Sequence, residues 1–554
     1  MTLEVAGDEA QTEVMDHHGL VAAICQDLKI GERINNRIGS KDPRRVVQPG
    51  TAVMAMIING LGFTNRRLYL TPQFYQSKAV AYLFEQEMTA DDLNDHTLGK
   101  ALDEVAAYGA SRLFGEVAFE IGIEENLLGS LAHLDSTSFA LHGRYDGEAA
   151  DVIEVKHGYS KDHRPDLKQV MLSLVMSGSA NLPVWMVPDN GNSSDKKSFH
   201  ETIASVRSFT QNLKQDDEFR WIADSALYTS EKLLKHNEFK WISRVPETIQ
   251  AAQTLLAAPS DDDEWQHDQQ GYAWTEVESD YGGLQQRWLI VSSQQAYERE
   301  SKTLDQRLVQ QKERLNKACW HLSNRRFNCE ADAEQAVMTL QKKYPFHVIE
   351  YDIKPVEKHG KRGRPAAVAK QSIVGYRVSY EVTDHESAIE QFRRRKGRFI
   401  LATNDLDQQN LPASTILKEY KAQQHVEGGF RFLKDPWFML DSFYVKKRSR
   451  IEALMMVMTL CLLVYNYGQY RLRSALEDQG ETIPNQINKP VQNPTMKWIF
   501  QIMEGIGIIK LYEETDKKTR SIITNLDTLR CKIIRLLGRT ACKIYGIKEN
   551  FAGT

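Results

Sequence analysis

Two aspartates in this chain interrupt stretches that otherwise look like apolar β-strands. Asp135 lies in AHLDSTSF and Asp224 lies in RWIADSALY. Burying a carboxylate is costly unless a cation or a hydrogen-bond donor meets it. Each aspartate alone also fits a simpler role, in which it ends a strand and caps the turn that follows. The pair is therefore a candidate for chemistry, with turn capping as the alternative.

A third carboxylate, Glu427, lies in YKAQQHVEGGFRFLK, which predicts an amphipathic helix. In a continuous α-helix, which turns by about 100° per residue, Tyr420, Gln423, Glu427 and Lys434 share one face. That face combines a carboxylate with an aromatic hydroxyl, an amide and an ammonium. An ordinary surface helix seldom needs this combination, so Glu427 is the third candidate.

Two strand aspartates and a helix glutamate can meet at one point if the helix packs against the edge of the sheet. Three oxygen ligands together with water suit Mg²⁺ or Mn²⁺. Two such ions, roughly 4 Å apart, would activate a water or a 3′-hydroxyl for in-line attack on a phosphodiester. Acid–base catalysis by two carboxylates without metal, as in glycoside hydrolysis, is the competing chemistry. It does not account for the cation and the aromatic residue that accompany Glu427.

Length and composition limit the other possibilities. With 554 residues, 42% hydrophobic and 26% charged, the chain predicts a globular protein of roughly two to four domains. Its net charge of −4 means that any surface for a polyanion must be local. The six cysteines show no CxxC spacing, which predicts neither a zinc site nor a disulfide framework and fits a reducing cytosol. The acidic N-terminus has no basic and apolar leader, so export is not expected.

The most apolar run covers residues 453–465 and is shorter than the roughly 20 residues of a membrane span, so a buried core helix is expected there. Apolar residues at three- and four-residue intervals predict helices over residues 15–130. From residue 130, SLAHLDSTSFALHG, DVIEVKHGYS and KQVMLSLVMSGSANLPVWMVPD predict strands. A helix, strands at FRWIADSALY and KWISRVP, two further strands, a charged helical hairpin and a strand at RFILATND follow. This order predicts an α/β fold with a mixed sheet.

HLDST, ADSALYTSEKL and YKAQQHVEGGFRFLK resemble the DDE transposases of bacterial insertion sequences. They look most like the group whose third acid lies in a Tyr-x2-Arg-x3-Glu-x6-Lys signature. Tyr420, Glu427 and Lys434 match this signature in type and spacing, whereas Gln423 stands in place of the Arg. A Gln cannot supply the bidentate phosphate contact of an Arg. GYSKDHRPDLKQV and the N-terminal segment from DHHGLVAAICQDLKI onwards also resemble this group.

The resemblance implies an RNase H-like catalytic core that is interrupted by an inserted domain. Asp135, Asp224 and Glu427 would form its catalytic triad and bind Mg²⁺ or Mn²⁺, as a pair of ions. The implied domains are a helical DNA-end-recognition domain (1–130), the two parts of the core (131–245 and 400–470), the insertion (246–399) and a helical C-terminal region that could mediate dimerisation (471–554).

The expected function is cleavage of double-stranded DNA at the terminal inverted repeats of a transposon, followed by transfer of the 3′-OH ends into target DNA. A homodimer in the synaptic complex and a location in the bacterial cytosol or nucleoid, without a membrane, are expected. The alternatives are a catalytically defective DNA-binding relative and a metal nuclease without strand transfer.

DNA contacts are predicted in three places. The first is the helix predicted over YKAQQHVEGGFRFLK, which carries the signature residues. The second is the basic turn SKDHRPDLK, for which an ordinary solvated turn is the alternative. The third is an arginine in WISRVP, for which a structural ion pair is the alternative. The residues concerned are Tyr420, Gln423, Lys434, Lys161, His163, Arg164, Lys168 and Arg244.

Overall fold

The computed structural model describes residues 10–40, 44–63, 70–143, 145, 152–162, 164–212, 219–228, 238–258, 265–358, 372–435, 447–513 and 518–548. The chain forms two compact units. The first contains residues 1–229, 238–241 and 418–554, and the second contains residues 230–237 and 242–417. All three candidate carboxylates lie in the first unit.

The chain contains both helices and strands throughout, as the α/β prediction requires. The strands, numbered in chain order, are β1 (Ala10–Val14), β2 (Leu131–Leu141), β3 (Lys168–Ser177), β4 (Leu182–Asp189), β5 (Arg220–Ala223), β6 (Trp241–Arg244), β7 (Gln266–His267), β8 (Tyr272–Ser279), β9 (Gln286–Ser293), β10 (His347–Lys358), β11 (Ser372–Asp384), β12 (Arg398–Thr403), β13 (Ile483–Pro484), β14 (Pro490–Val491), β15 (Gly507–Glu513) and β16 (Lys518–Thr524).

The α-helices span His18–Asp27, Ile30–Ile38, Pro49–Gly60, Thr71–Tyr75, Val80–Phe84, Asp95–Tyr108, Ala110–Glu124, Asp195–Asn212, Gln250–Ala257, Gln294–Asn324, Glu330–Gln341, Glu386–Arg394, Ala413–Lys421, Gln424–Leu433, Arg448–Asp478, Met496–Ile502, Thr528–Leu537 and Arg539–Ile544. Short 3-10 helices span Ala90–Leu93 and Tyr281–Gly283.

The sheet of the first unit is organised around β2. Strands β2, β3 and β4 pair antiparallel in sequence, whereas β5 joins the other edge of β2 in the parallel direction. Strand β3 is buried along almost its whole length, as expected for a sheet that is covered on both faces. On one face Trp185 packs against Phe209, and on the other Met176 lies close to Gly429.

The long helix Arg448–Asp478 forms much of the core of the first unit. By length and composition it could cross a membrane, but 83% of its most apolar window is buried inside the protein. The expected core helix is therefore present, although it extends well beyond residues 453–465. It packs against β4 and against the helices His18–Asp27, Pro49–Gly60, Asp95–Tyr108 and Ala110–Glu124.

Residues from both ends of the chain pack together in the first unit. Strand β1 pairs antiparallel with β15, which pairs with β16. The Tyr545 hydroxyl donates a hydrogen bond to the Asp16 carbonyl oxygen, and its ring occupies the space left by the missing side chain of Gly19. The predicted boundaries at residues 130 and 471 therefore separate segments that share one core.

The second unit contains two sheets among the residues that the structure describes. Strand β12 lies between β6 and β9, with β8 and β7 beyond β9. The ribbon of β10 and β11 packs with the helices Gln294–Asn324 and Glu330–Gln341 around a separate small core that includes Leu315, Phe327 and Ile349. The predicted pair of strands and the charged helical hairpin are confirmed.

The strand predicted for DVIEVKHGYS is absent from described residues 152–160. Only Lys156 forms an isolated bridge, with Gln169. The backbone N–H groups of Ile153 and Glu154 instead donate to side chains, those of Glu452 and Asn190. The prediction is wrong because the alternation of apolar residues reflects side-chain burial, whereas the backbone pairs with β3 only at Lys156.

The helix predicted over YKAQQHVEGGFRFLK is also wrong in its continuity. The helix Ala413–Lys421 ends, and the helix Gln424–Leu433 begins after a short turn. Within this turn the N–H groups of Gln423 and His425 donate to the carbonyl groups three residues earlier, which tightens the chain. Tyr420 and Glu427 therefore belong to different helices, and the single polar face calculated for one helix does not exist.

Candidate active site

The parallel pairing of β2 with β5 brings the two aspartates to the same level of the sheet. The register runs from Leu131 opposite Arg220 to Leu134 opposite Ala223. Asp135 and Asp224 are the next residues on each chain segment, and neighbouring strands lie about 4.8 Å apart. Two carboxylates that are distant in sequence are therefore neighbours.

The backbone that follows each aspartate orients its carboxylate. The N–H of Ser136 donates to Asp135 Oδ1 at 2.7 Å, and the N–H of Ala226 donates to Asp224 Oδ1 at 2.8 Å. Asp224 follows the last residue of β5, so its contact is also that of a turn-capping residue. Asp135 lies inside β2, which continues to Leu141, so strand-end capping does not explain it.

Contacts near both ends of the helix Gln424–Leu433 place it alongside β2. The helix contacts β2, and the charge of His425 adds to burial, the main cause, in lowering the pKa of the His133 imidazole. Just beyond the other end, the Lys434 ammonium lies 5.6 Å from the centre of the Phe139 ring. His133 and Phe139 share a face of β2 with Asp135, because alternate residues of a strand point the same way. The helix therefore runs along the face that carries Asp135.

Glu427 lies outside the buried stripe of this helix. The stripe consists of Val426, Gly429, Phe430 and Leu433, whereas Glu427 is exposed. Gly429 allows close packing, because a Cβ atom there would lie 3.1 Å from a methyl group of Leu462.

The donor chemistry of the aspartate pair fits a hard divalent cation, since Mg²⁺ and Mn²⁺ prefer carboxylate oxygens. Within the described ranges, no group of three or more His, Cys, Asp or Glu side chains is arranged to hold a metal ion. The fold therefore places Asp135 beside Asp224 and brings the helix of Glu427 to the face of β2 that carries Asp135. The three carboxylates are not arranged around a common metal position.

Gln423, which replaces the signature Arg, points into the protein. Only 8% of the residue is exposed, and its Oε1 atom is buried without a hydrogen-bond partner in the part of the chain that the structure describes. Tyr420 is half-buried on the preceding helix. Burial disfavours the predicted contact between Gln423 and DNA in this conformation.

Lys434 forms an ion pair that the sequence did not predict. Its Nζ atom lies 2.5 Å from Asp162 Oδ1, and the two side chains are 24% and 33% exposed. Asp162 belongs to the basic turn SKDHRPDLK. The ion pair therefore joins this turn to the end of the helix Gln424–Leu433.

Lys161, from the same turn, is tied to β2 immediately after Asp135. Its ammonium donates to the carbonyl oxygen of Ser136 at 2.7 Å and to the Ser136 hydroxyl at 3.0 Å. Its backbone N–H donates to the hydroxyl of Ser138 at 3.1 Å. These contacts indicate that Lys161 supports the strand that positions Asp135.

The remaining members of the basic turn differ from one another. Arg164 forms a two-pronged ion pair with Asp166, at 2.9 and 2.8 Å, and its hydrogen bond is the main cause that lowers the pKa of Asp166 to about 2. Lys168 begins β3 opposite Leu141. His163 lies outside the described residues.

Arg244 belongs to the second unit, where it pairs with Glu247 at 3.0 Å. Its guanidinium also stacks over Phe399, 5.3 Å from the ring centre. The structural ion pair that was the alternative for Arg244 is therefore present.

His133 is a residue of the site that the sequence reasoning missed. Burial, and next the charge of His425, lower its pKa to about 4, so the ring is neutral at neutral pH. Its Nδ1 atom is buried without a hydrogen-bond partner among the described residues. The available signal was its position two residues before Asp135, which places both side chains on one face of a strand.

A family model described as "Transposase DDE domain" matches residues 128–464, which is more than half of the chain. The chain belongs to the DDE transposase family. It is thus a DDE transposase enzyme, and Asp135, Asp224 and Glu427 all fall within the matched residues. A second model, described as "Domain of unknown function (DUF4277)", matches residues 10–119, which contain most of the N-terminal helices.

Among solved structures, this DDE transposase is similar to the cryo-EM structure of a piggyBac transposase synaptic complex with hairpin DNA. The sequence identity is 9% and the TM-score is 0.35, over 98% of this chain and 89% of that chain. No curated protein matches the sequence.

Proposed function

We propose that this DDE transposase cuts DNA at the terminal inverted repeats of its own mobile element and joins the freed 3′-OH ends to target DNA. The observation that carries the proposal is the parallel register of β2 and β5, which makes Asp135 and Asp224 neighbours within the matched family domain. The strand order around β2 supports an RNase H-like core, and the signature residues Tyr420, Glu427 and Lys434 support an origin in a bacterial insertion sequence.

In the proposed mechanism, Asp135, Asp224 and Glu427 would hold two Mg²⁺ or Mn²⁺ ions. These ions would supply Lewis acidity for in-line attack on a phosphodiester by water and by a 3′-hydroxyl. The backbone N–H groups of Ser136 and Ala226 fix the aspartate carboxylates. Glu427 approaches from the helix that lies along β2, on the side open to solvent.

DNA binding in this proposal uses local cations, because the net charge of the chain is negative. Lys434 and Tyr420 contact the backbone near the cleaved end, with Lys168 and Arg164 on the flanking duplex. The N-terminal helices recognise the terminal repeats, mainly through phosphates and with a few base edges. Residues 246–399 clamp the DNA, and two protomers pair the two ends in the bacterial cytosol.

The decisive experiment uses the purified full chain, a labelled duplex of the terminal repeat, and Mg²⁺ or Mn²⁺. Cleavage and strand transfer are measured separately, the latter with a pre-cut end that already carries a 3′-OH. Both products are expected from the natural chain. Cleavage without joined product would instead favour a metal nuclease, and binding without either product would favour a defective DNA-binding relative.

A further inference from the structure

The cation with which the signature helix is expected to hold DNA is already occupied within the protein. Lys434 Nζ lies 2.5 Å from Asp162 Oδ1, a contact between residues 272 positions apart in sequence. The Lys434 ammonium also lies over the Phe139 ring, at 5.6 Å from its centre. Both ionic side chains are only partly exposed, so the attraction between them is screened less than in an ordinary surface pair.

The backbone next to Asp162 is anchored through its neighbour, Lys161. Lys161 is fixed to β2 through its backbone N–H, which donates to Ser138, and through its ammonium, which donates to Ser136. Asp162 follows on the same turn, so its backbone is anchored before the ion pair forms. The backbone of this turn therefore loses little conformational entropy when the pair forms, and the entropic cost comes from the two side chains.

A carboxylate and a phosphate compete for the same ammonium. Each offers negatively charged oxygens that accept short, charge-assisted hydrogen bonds from Lys. With Asp162 in place the local charges cancel, and a phosphate that approaches Lys434 also meets the repulsion of the carboxylate. Only DNA that is held by further contacts can gain enough to separate the pair.

We propose that Asp162 is an internal phosphate surrogate, which occupies Lys434 until a correctly bound transposon end displaces it. This inference rests on the proposed function, in which Lys434 contacts the DNA backbone. Its consequence is a lower affinity for DNA: separating the ion pair costs the same free energy for any duplex whose phosphate reaches Lys434, so Asp162 weakens the binding of arbitrary DNA and of the terminal repeat by about the same factor.

The test compares the affinity of full-length variants for two duplexes, one with the element's terminal repeat and one with the same bases in scrambled order. Asp162→Asn keeps the shape of the side chain and removes its charge. We expect this variant to bind both duplexes about two- to fivefold more tightly, because the same ion pair is removed in each case. The slope of log K against log salt should become steeper by about 0.9, the value for one additional phosphate contact.

Two further variants make the result specific. Glu481→Gln also removes one negative charge and releases a lysine, Lys532, but far along the chain from the signature helix; it should leave both affinities unchanged. Lys434→Met should weaken binding, and in that background Asp162→Asn should give a smaller gain, because only the repulsion by the carboxylate is then removed. Thermal unfolding confirms that each variant is folded.

Each outcome decides one question. If Lys434→Met leaves DNA affinity unchanged, the contact assigned to Lys434 under the proposed function is wrong. If Lys434→Met weakens binding but Asp162→Asn weakens it as well, Asp162 positions Lys434 and the surrogate role is overturned. An equal gain from Asp162→Asn and Glu481→Gln would also overturn it, because net charge alone would then account for the effect.

Discussion

The sequence and the structure suggest different roles for Lys161, a contact with DNA and support of the strand that carries Asp135. The basic turn predicts a DNA contact, whereas the structure ties the ammonium to the carbonyl and hydroxyl oxygens of Ser136. The N–H of Ser136 in turn orients the carboxylate of Asp135. We therefore expect Lys161→Met to act on metal binding at Asp135 more than on DNA binding.

The magnitude follows from the two hydrogen bonds that are lost. A hydrogen bond to a charged group contributes about 1.5–3 kcal/mol, and the two here share one donor group, so a loss of roughly 2–3 kcal/mol in the free energy of unfolding is expected. Removing a residue that helps to orient a metal ligand, without binding the metal itself, typically lowers metal affinity about 10–100-fold. The Mg²⁺ concentration for half-maximal cleavage should rise by that factor, while cleavage at saturating Mg²⁺ falls less.

The assay is cleavage of a labelled end duplex across a Mg²⁺ titration, together with the salt dependence of end binding. Lys156→Met is the matched control, because Lys156 precedes the same turn but pairs with Glu154 at 2.5 Å. Lys161→Arg, which keeps the donors, should restore part of the metal affinity. An unchanged Mg²⁺ curve combined with a salt slope that is shallower by about 0.9 would refute the reasoning and restore the phosphate contact.

Four further outcomes are expected. Asp224→Ala should abolish cleavage and strand transfer in gel assays while leaving end binding intact; residual metal-dependent cleavage would mean that Asp224 is not a member of the triad. Chelation with EDTA should stop both reactions without releasing bound end DNA, which gel shifts under the same conditions can check. Gln423→Met should leave the thermal midpoint unchanged or raise it, because it removes a buried oxygen without a partner, a gain of up to about 1 kcal/mol; a clear loss would reveal a hidden partner of Gln423. Burial lowers the pKa of His17 from 6.5 to about 4, so between these pH values the unfolded chain binds a proton at His17 and the folded chain does not. The contribution of His17 to the free energy of unfolding should therefore be complete above pH 6.5 and should fall by up to about 3 kcal/mol between pH 6.5 and 4. His17→Phe should remove this part of the pH dependence in denaturant titrations.

Local patterns in the sequence predicted most of the elements correctly. Periodicity at three and four residues predicted the N-terminal helices and the long core helix, and apolar runs predicted β2, β3, β4, β8, β9 and β12. These predictions are confirmed because burial of one face imposes a repeat on the sequence of each element. The same reasoning was wrong at DVIEVKHGYS, where buried Ile153 and Val155 alternate with polar residues but only Lys156 pairs with a strand.

Helix geometry predicts a shared face only where the helix is continuous, and it is not continuous around Glu427. A shared face for Tyr420 and Glu427 requires one unbroken helix, and a turn in which the N–H of Gln423 donates to the carbonyl oxygen of Tyr420 interrupts it. Nothing in those residue types forbids a helix, so the break depends on the surroundings into which Gln423 packs. Its burial, which disfavours a contact with DNA, is likewise a property of the packed chain.

By itself, the sequence determined which residues carry the chemistry and which kind of element holds each of them, because these properties depend on side-chain type and on short-range periodicity. Only the tertiary structure decided what each residue meets. The register of β2 and β5 made Asp135 and Asp224 neighbours, and the turn around Lys161 placed Asp162 against Lys434. Both are contacts between distant parts of the chain, and their geometry follows from strand pairing and core packing, which no local pattern records.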